Sequence, residues 1–215
     1  MEEKNARDNE AAMKRYTKIE KQTDNRFLNL YHMDAVSKDG APFDYYFASR
    51  NPEDRIKART HENEPEGIAI YAVRKDNPGQ LVMLRQYRYP IGDYLYEIPA
   101  GLVDKGETPA QSGIREMKEE TGLTLEIYEG GEDYFRRPFF MAQGLTDESS
   151  TMVYGYAEGE PGGAALEASE DIEVLFVDRR QAREILAKER VSLRAAFMLM
   201  HFIHSQDEYP FAFLE

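Results

Sequence analysis

The chain has 215 residues, 41% hydrophobic, 12% aromatic and 31% charged, which is the composition of a folded chain with one full-sized domain plus an appendage and excludes a disordered or collagen-like polymer. Twenty-seven Lys plus Arg against 40 Asp plus Glu give a net charge of -13, which repels phosphate backbones and weighs against a bulk nucleic-acid partner. With no cysteine, disulfides, thiolate metal sites and thiol nucleophiles are ruled out.

Residues 1–25 mix both charge signs, lack the apolar core of a secretory signal and read as a polar arm. No later stretch approaches ~18 uninterrupted apolar residues, so no membrane partner is expected and the cytoplasm is the expected compartment. From 26 to 62, apolar runs (Phe27 to Tyr31, Phe43 to Ala48) flank the turn signal Lys38-Asp39-Gly40 and predict a small antiparallel β domain. A larger domain is expected over 63–215. It starts with strands at Ile68 to Val73 and Leu81 to Leu84, separated by a turn at Asp76 to Gly79.

Thr108 to Thr121 carries the clearest helix signal. Thr108 and Gln111 fit a capping box, Pro109 takes the first helical position, and Gly122 follows the end. Ala110, Ile114 and Met117 are its expected buried stripe. Thr151 to Ala157 and Glu173 to Val177 read as strands around an acidic, glycine-rich loop. Asp178 caps a helix with Ala182, Ile185 and Leu186 inward, and Ser192 caps a last one carrying Leu193, Ala196, Phe197 and Met200. Strands and helices mix without a regular βαβ repeat, which predicts α+β layers.

On the Thr108 helix, Glu116 and Glu120 lie one above the other, Glu119 is an i+3 neighbour of Glu116, and Gly113 leaves bare backbone at the edge of that face. Stacked carboxylates repel, so a compensating cation is expected, with Mg²⁺ the natural candidate for a site of oxygen ligands.

The stretch from Gly101 through Glu107, Arg115, Glu116, Met117, Glu119, Glu120 and Gly122 to Leu123 matches G-x5-E-x7-R-E-U-x-E-E-x-G-U at every position. The sequence thereby resembles the Nudix hydrolases, which cleave diphosphate linkages in derivatives of nucleoside diphosphates. Upstream, Gln86-Tyr87-Arg88 and Glu97-Ile98-Pro99-Ala100-Gly101 resemble the ADP-ribose pyrophosphatase branch. The resemblance implies a Nudix fold, an α/β/α sandwich around a mixed sheet, with a small N-terminal β domain that serves a homodimer.

It further implies Mg²⁺, with Mn²⁺ as a substitute, held by Glu116, Glu119, Glu120 and the Ala100 carbonyl. Glu119 and Glu120 would share in catalysis, and Arg115 would pair with Glu107 as a structural element alongside Gly101 and Gly122. Arg88, Glu97 and Gln86 would contact substrate. A loop acid would position the attacking water; Glu148 is preferred, with Asp147 and Glu170 as alternatives. Phe27, Tyr31, Phe43, Tyr45 and Tyr46 are candidate base-stacking residues. The Ser-Pro-Gly common in the branch is replaced here by Ala142-Gln143-Gly144, which bears on the terminal moiety more than on the chemistry. The implied reaction is hydrolysis of a nucleoside diphosphate sugar, ADP-ribose to AMP and ribose 5-phosphate in the first instance. Alternatives are another NDP-sugar, a dinucleotide, an NTP, or a non-catalytic ligand-binding domain.

Overall fold

The computed structural model describes residues 14–162, 165–166 and 170–215, so most of the expected arm lies outside the described residues. Two units are distinguished. The first takes in the described residues up to Glu64 together with Phe140–Glu148; the second comprises Pro65–Phe139 and Ser149–Glu215.

The first unit is a three-stranded antiparallel sheet of β1 (Tyr16–Lys21), β2 (Asn29–Val36) and β3 (Pro42–Ser49), followed by a helical turn at Lys57–Thr60. Strand β1 falls within the stretch 1–25 that the sequence reads as an arm. Its one deeply buried apolar side chain, Ile19, joins Tyr31, Phe47 and Ile56 in a small core, a contact that exists only after the chain has doubled back. Alternation does the sorting: Tyr31 and Phe47 face each other in register and stack at 5.5 Å, while the neighbours His32 and Tyr46 point to the other face.

The second unit is built on a mixed sheet whose central order is β11-β5-β4-β10-β8. Its strands are β4 (Gly67–Arg74), β5 (Leu81–Arg88), β6 (Asp93–Glu97), β7 (Ala100–Leu102), β8 (Thr124–Ile127), β9 (Phe139–Phe140, whose second residue is counted with the first unit), β10 (Ser149–Glu158) and β11 (Ile172–Val177). Strands β4 and β10 run parallel; β6 pairs with β5, and β7 with β4, antiparallel.

Strand β4 is buried on both sides, as its unbroken apolar run requires. Ile68, Ile70 and Ala72 meet Met117 and Leu123 at helix α1 (Pro109–Thr121). Ala69, Tyr71 and Val73 meet Ala182 and Ile185 of α2 (Arg179–Lys188) and Ala195, Leu199 and Phe202 of α3 (Leu193–His204). Helices thus cover both faces of the sheet, an α+β layering with a small N-terminal β unit.

Two helices bury faces that their apolar residues alone do not mark. In α1 the buried positions are Ser112, Gly113, Met117, Glu120 and Thr121, so that Met117 faces inward as expected while Ile114 is exposed. The cause is Gly113: a Cβ built there would sit 2.9 Å from Val153 Cγ1, so the helix rests on β10 at its glycine. In α3, Leu193, Phe197 and Met200 are exposed while Ala195, Leu199 and Phe202 face the core. That helix is apolar nearly all round, and its packing on α2 and the sheet selects the face.

Candidate active site

Helix α1 is fixed at both ends by local chemistry. Thr108 Oγ1 accepts from Gln111 N, the Gln111 side chain accepts from Thr108 N, and Gly122 closes the helix at φ 77°. A Cβ at Gly122 would also lie 1.8 Å from the Gly162 carbonyl oxygen, so only glycine is tolerated where the acidic loop crosses the helix end. That loop docks through its backbone: Gly162 N donates to Thr121 O at 3.2 Å and Ala165 N to Glu119 O at 3.0 Å. These N–H groups satisfy carbonyls that a helix C-terminus leaves without partners.

Strand β7 passes beneath the same helix face. Ala100 N donates to Glu120 Oε2 at 3.0 Å. A Cβ at Gly101 would fall 1.9 Å from Glu116 Cδ, so the Glu116 carboxyl lies against bare backbone that any other residue would fill. Glu116, Glu119, Glu120 and Glu170 together line a cleft of about 450 Å³, with Arg115 and the Ala100–Gly101 backbone on its walls.

Electrostatics set this cleft apart. Glu120 is only 5% exposed. Its burial pushes the carboxyl up to about 8 against the pull of the Ala100 N–H, and the Glu116 and Glu170 charges add to the rise. Burial also raises Glu116, opposed by Arg115. Arg115 is a hub: Nε donates to both Glu107 oxygens at 3.1 and 3.2 Å, Nη1 to Glu116 Oε1 at 2.7 Å and Glu119 Oε2 at 2.9 Å, and Nη2 to Leu102 O at 2.9 Å. Its hydrogen bonds, with help from Ser112, hold Glu107 below the usual carboxylate range. The sequence assigned Arg115 to Glu107 alone; its reach to Glu116 and Glu119 follows from side-chain length and the i+4 spacing to Glu119.

Arg88, at the end of β5, pairs through Nε with buried Glu97 on β6. Its charge also acts on Glu120. Gln86 is buried two residues earlier on the same strand, and its Oε1 has no hydrogen-bond partner.

The three loop acids fall in different units. Glu170 lines the carboxylate cleft. Asp147 and Glu148 belong to the first unit, where Asp147 Oδ2 accepts from Lys57 N at 3.1 Å and Glu148 Oε2 from Arg50 Nε at 3.2 Å. Of the aromatic candidates, Tyr31 is fully buried in the first unit's core, whereas Phe27, Phe43, Tyr45 and Tyr46 are exposed. Tyr45 and Phe47 border a separate apolar cavity of about 340 Å³ in that unit, with Phe140 and Asp147.

Comparison with known proteins gives a match to the NUDIX domain over residues 65–198. A Caenorhabditis elegans protein is 38% identical over 125 residues, 55% of this chain and 54% of its own, so the chain spans about half the length of that relative. The methanol dehydrogenase activator of Bacillus methanolicus is 26% identical over 73% of this chain and 81% of its own. The ADP-ribose pyrophosphatase of Bacillus subtilis is 37% identical over 75 residues, 35% of this chain and 40% of its own. Among solved structures, an ADP compounds hydrolase superposes with a TM-score of 0.63 over 89% of this chain and 96% of its own; at 18% identity that likeness concerns the fold.

Proposed function

This chain belongs to the NUDIX domain family, and from that premise we propose that it hydrolyses the diphosphate bond of an ADP-ribose-like compound, ADP-ribose to AMP and ribose 5-phosphate in the first instance. The observation that carries the reading is the convergence of Glu116, Glu119, Glu120 and Glu170 on one cleft floored by the Ala100–Gly101 backbone. The names of the Bacillus subtilis and Saccharomyces cerevisiae relatives, both ADP-ribose pyrophosphatases, support the substrate class.

A divalent cation fits these residues. The donor set is all oxygen, which suits Mg²⁺ or Mn²⁺. A 5%-exposed carboxyl held up to about 8 is a group that a cation would return to its charged form. We assign the holding of the ion to Glu116, Glu119, Glu120 and the Ala100 carbonyl. Such an ion supplies Lewis-acid neutralisation of the diphosphate oxygens.

The chain's own groups do the rest in this reading. A loop acid, Glu148 as the sequence prefers or Glu170 that lines the cleft, orients the attacking water and takes its proton as the new O–P bond forms and the bridging P–O bond breaks. Arg88, held by Glu97, offsets the charge that grows on the phosphate oxygens. Gln86, whose buried Oε1 has no hydrogen-bond partner, is assigned to substrate contact, where that oxygen can accept from a hydroxyl or amino group. Arg115 keeps Glu116 and Glu119 pointed into the cleft. We further propose a homodimer formed through the N-terminal β unit, tested by light scattering, and a cytoplasmic location; no helix among the described residues is long and apolar enough to cross a membrane.

The deciding assay is a panel of ADP-ribose, other NDP-sugars, dinucleotides and NTPs with Mg²⁺, wild type beside Glu116→Gln. Turnover of ADP-ribose that Glu116→Gln abolishes is expected. Turnover confined to triphosphates would overturn the substrate class, and full activity in Glu116→Gln would remove the cation site.

A further inference from the structure

The outer face of the N-terminal sheet carries a second group of metal-ligand side chains, remote in sequence from the carboxylate helix. His32 and Asp34 are two apart on β2 and therefore share a face. Asp44 on β3 stands directly opposite Asp34 in the ladder, and Tyr46 opposite His32. The Tyr46 ring stacks on the His32 imidazole at 4.8 Å with 29° between planes, which fixes the ring's tilt. His32 Nε2 lies 2.7 Å from Asp44 Oδ1 and 3.8 Å from Asp34 Oδ1, and the three ligand atoms all fall within 4.8 Å of one another.

Two features separate this group from an ordinary patch of surface acids. Like charges directly opposite on antiparallel strands are destabilising, and the group that stands between Asp34 and Asp44 is the His32 ring, whose Nε2 is already within hydrogen-bond distance of Asp44 Oδ1. The lysine in register, Lys18 opposite Asp34, is ion-paired with Glu20 on its own strand and acts on Asp34 through its charge without a direct contact between them. The third donor is an imidazole nitrogen, held by the stacked tyrosine on a rigid sheet rather than on a loop.

We propose that His32, Asp34 and Asp44 bind a divalent transition-metal ion of the Zn²⁺ class, with water completing the shell. An ion with bonds of ~2.0–2.2 Å and tetrahedral angles needs its donors ~3.3–3.6 Å apart. The observed 2.7 and 3.8 Å bracket that spacing, and the Asp44 side chain, 72% exposed, is open enough to adjust. One imidazole nitrogen with two carboxylate oxygens favours a borderline ion and disfavours Mg²⁺, which prefers oxygen and water. The ion would strap β2 to β3 on the face opposite the Tyr31–Phe47 stack. Nothing in this proposal depends on the hydrolase reading.

The test uses the full chain in excess Mg²⁺, so that the oxygen-only cleft is satisfied, and titrates Zn²⁺ by calorimetry alongside NMR of the four histidine rings. One equivalent is expected to shift the His32 ring while His61, His201 and His204 stay in place. His32→Ala should abolish that equivalent, and Asp44→Asn, at an exposed position that leaves the fold intact, should weaken it at least tenfold. A His32 ring unmoved by stoichiometric Zn²⁺ would overturn the proposal, as would unchanged Zn²⁺ affinity in Asp44→Asn.

Discussion

Replacing Glu120 with Gln should make the chain more stable above neutral pH when divalent cations are chelated. The wild-type carboxyl is held up to about 8 from an ordinary 4.5. An acid whose folded pKa is raised keeps its proton in the folded state over a range where the unfolded chain has already released it. Stability therefore falls as pH climbs from about 4.5 to about 8 and is flat beyond. At ~1.4 kcal/mol per unit of pKa, the full drop is on the order of 3–5 kcal/mol, a large share of the ~5–15 kcal/mol that holds a typical domain folded. Glu116, also raised by burial, adds to the same slope. The glutamine amide of Glu120→Gln would keep an oxygen for Ala100 N and carry no charge, so the variant's stability curve should be much flatter. Urea unfolding in EDTA from pH 5 to 9 reads this directly, and repeating it with Mg²⁺ should return wild type to the level of the variant or above. Wild-type and Glu120→Gln curves that run parallel across the window would refute the reasoning, because burial would then not be penalising the charge.

Gly101→Ala places a methyl where the Glu116 carboxyl lies; turnover should drop by about 100-fold, as for a ligand displaced by roughly 1 Å, while circular dichroism shows the fold retained. Arg115→Ala leaves three carboxylates without their shared partner and should cost about 2–3 kcal/mol in chemical denaturation, with Arg115→Lys recovering little because one ammonium cannot span Glu107, Glu116 and Glu119. On α3, Leu199→Ala should cost ~2–5 kcal/mol and Leu193→Ala within ~0.5 kcal/mol; equal effects would mean that the helix presents a different face.

How far the sequence could be read depended on how local the determining contacts are. Helix α1 was legible from cap to cap because Thr108, Gln111 and Gly122 act within a turn of where they sit. Its inward face was not, since Ala110 and Ile114 look like core until Gly113 meets Val153 from another strand. The same holds for β7, three residues whose existence depends on pairing with β4, and for β1, whose single anchor Ile19 needs Tyr31 and Phe47. The stacked glutamates follow from helix geometry alone. That Glu170 lines the cleft of its own unit, and that Glu148 pairs with Arg50 within the first, rests on loop paths that no periodicity encodes.

The parallel pairing of β4 with β10 also bears on how the chain is made. Gly67 meets Ser150 only after roughly eighty intervening residues have been laid down, a loop closure that local contacts must precede. Helix α1 can form early, from its own caps, but it has nothing to lie on at Gly113 until Val153 arrives with β10. A nascent chain that stops at β8 therefore holds Glu107, Glu116, Glu119 and Glu120 on a helix that can already meet β4 but lacks the strand on which Gly113 rests. Tight retention of a divalent cation would then be a late event in synthesis, and it would report that this long-range parallel pairing has closed.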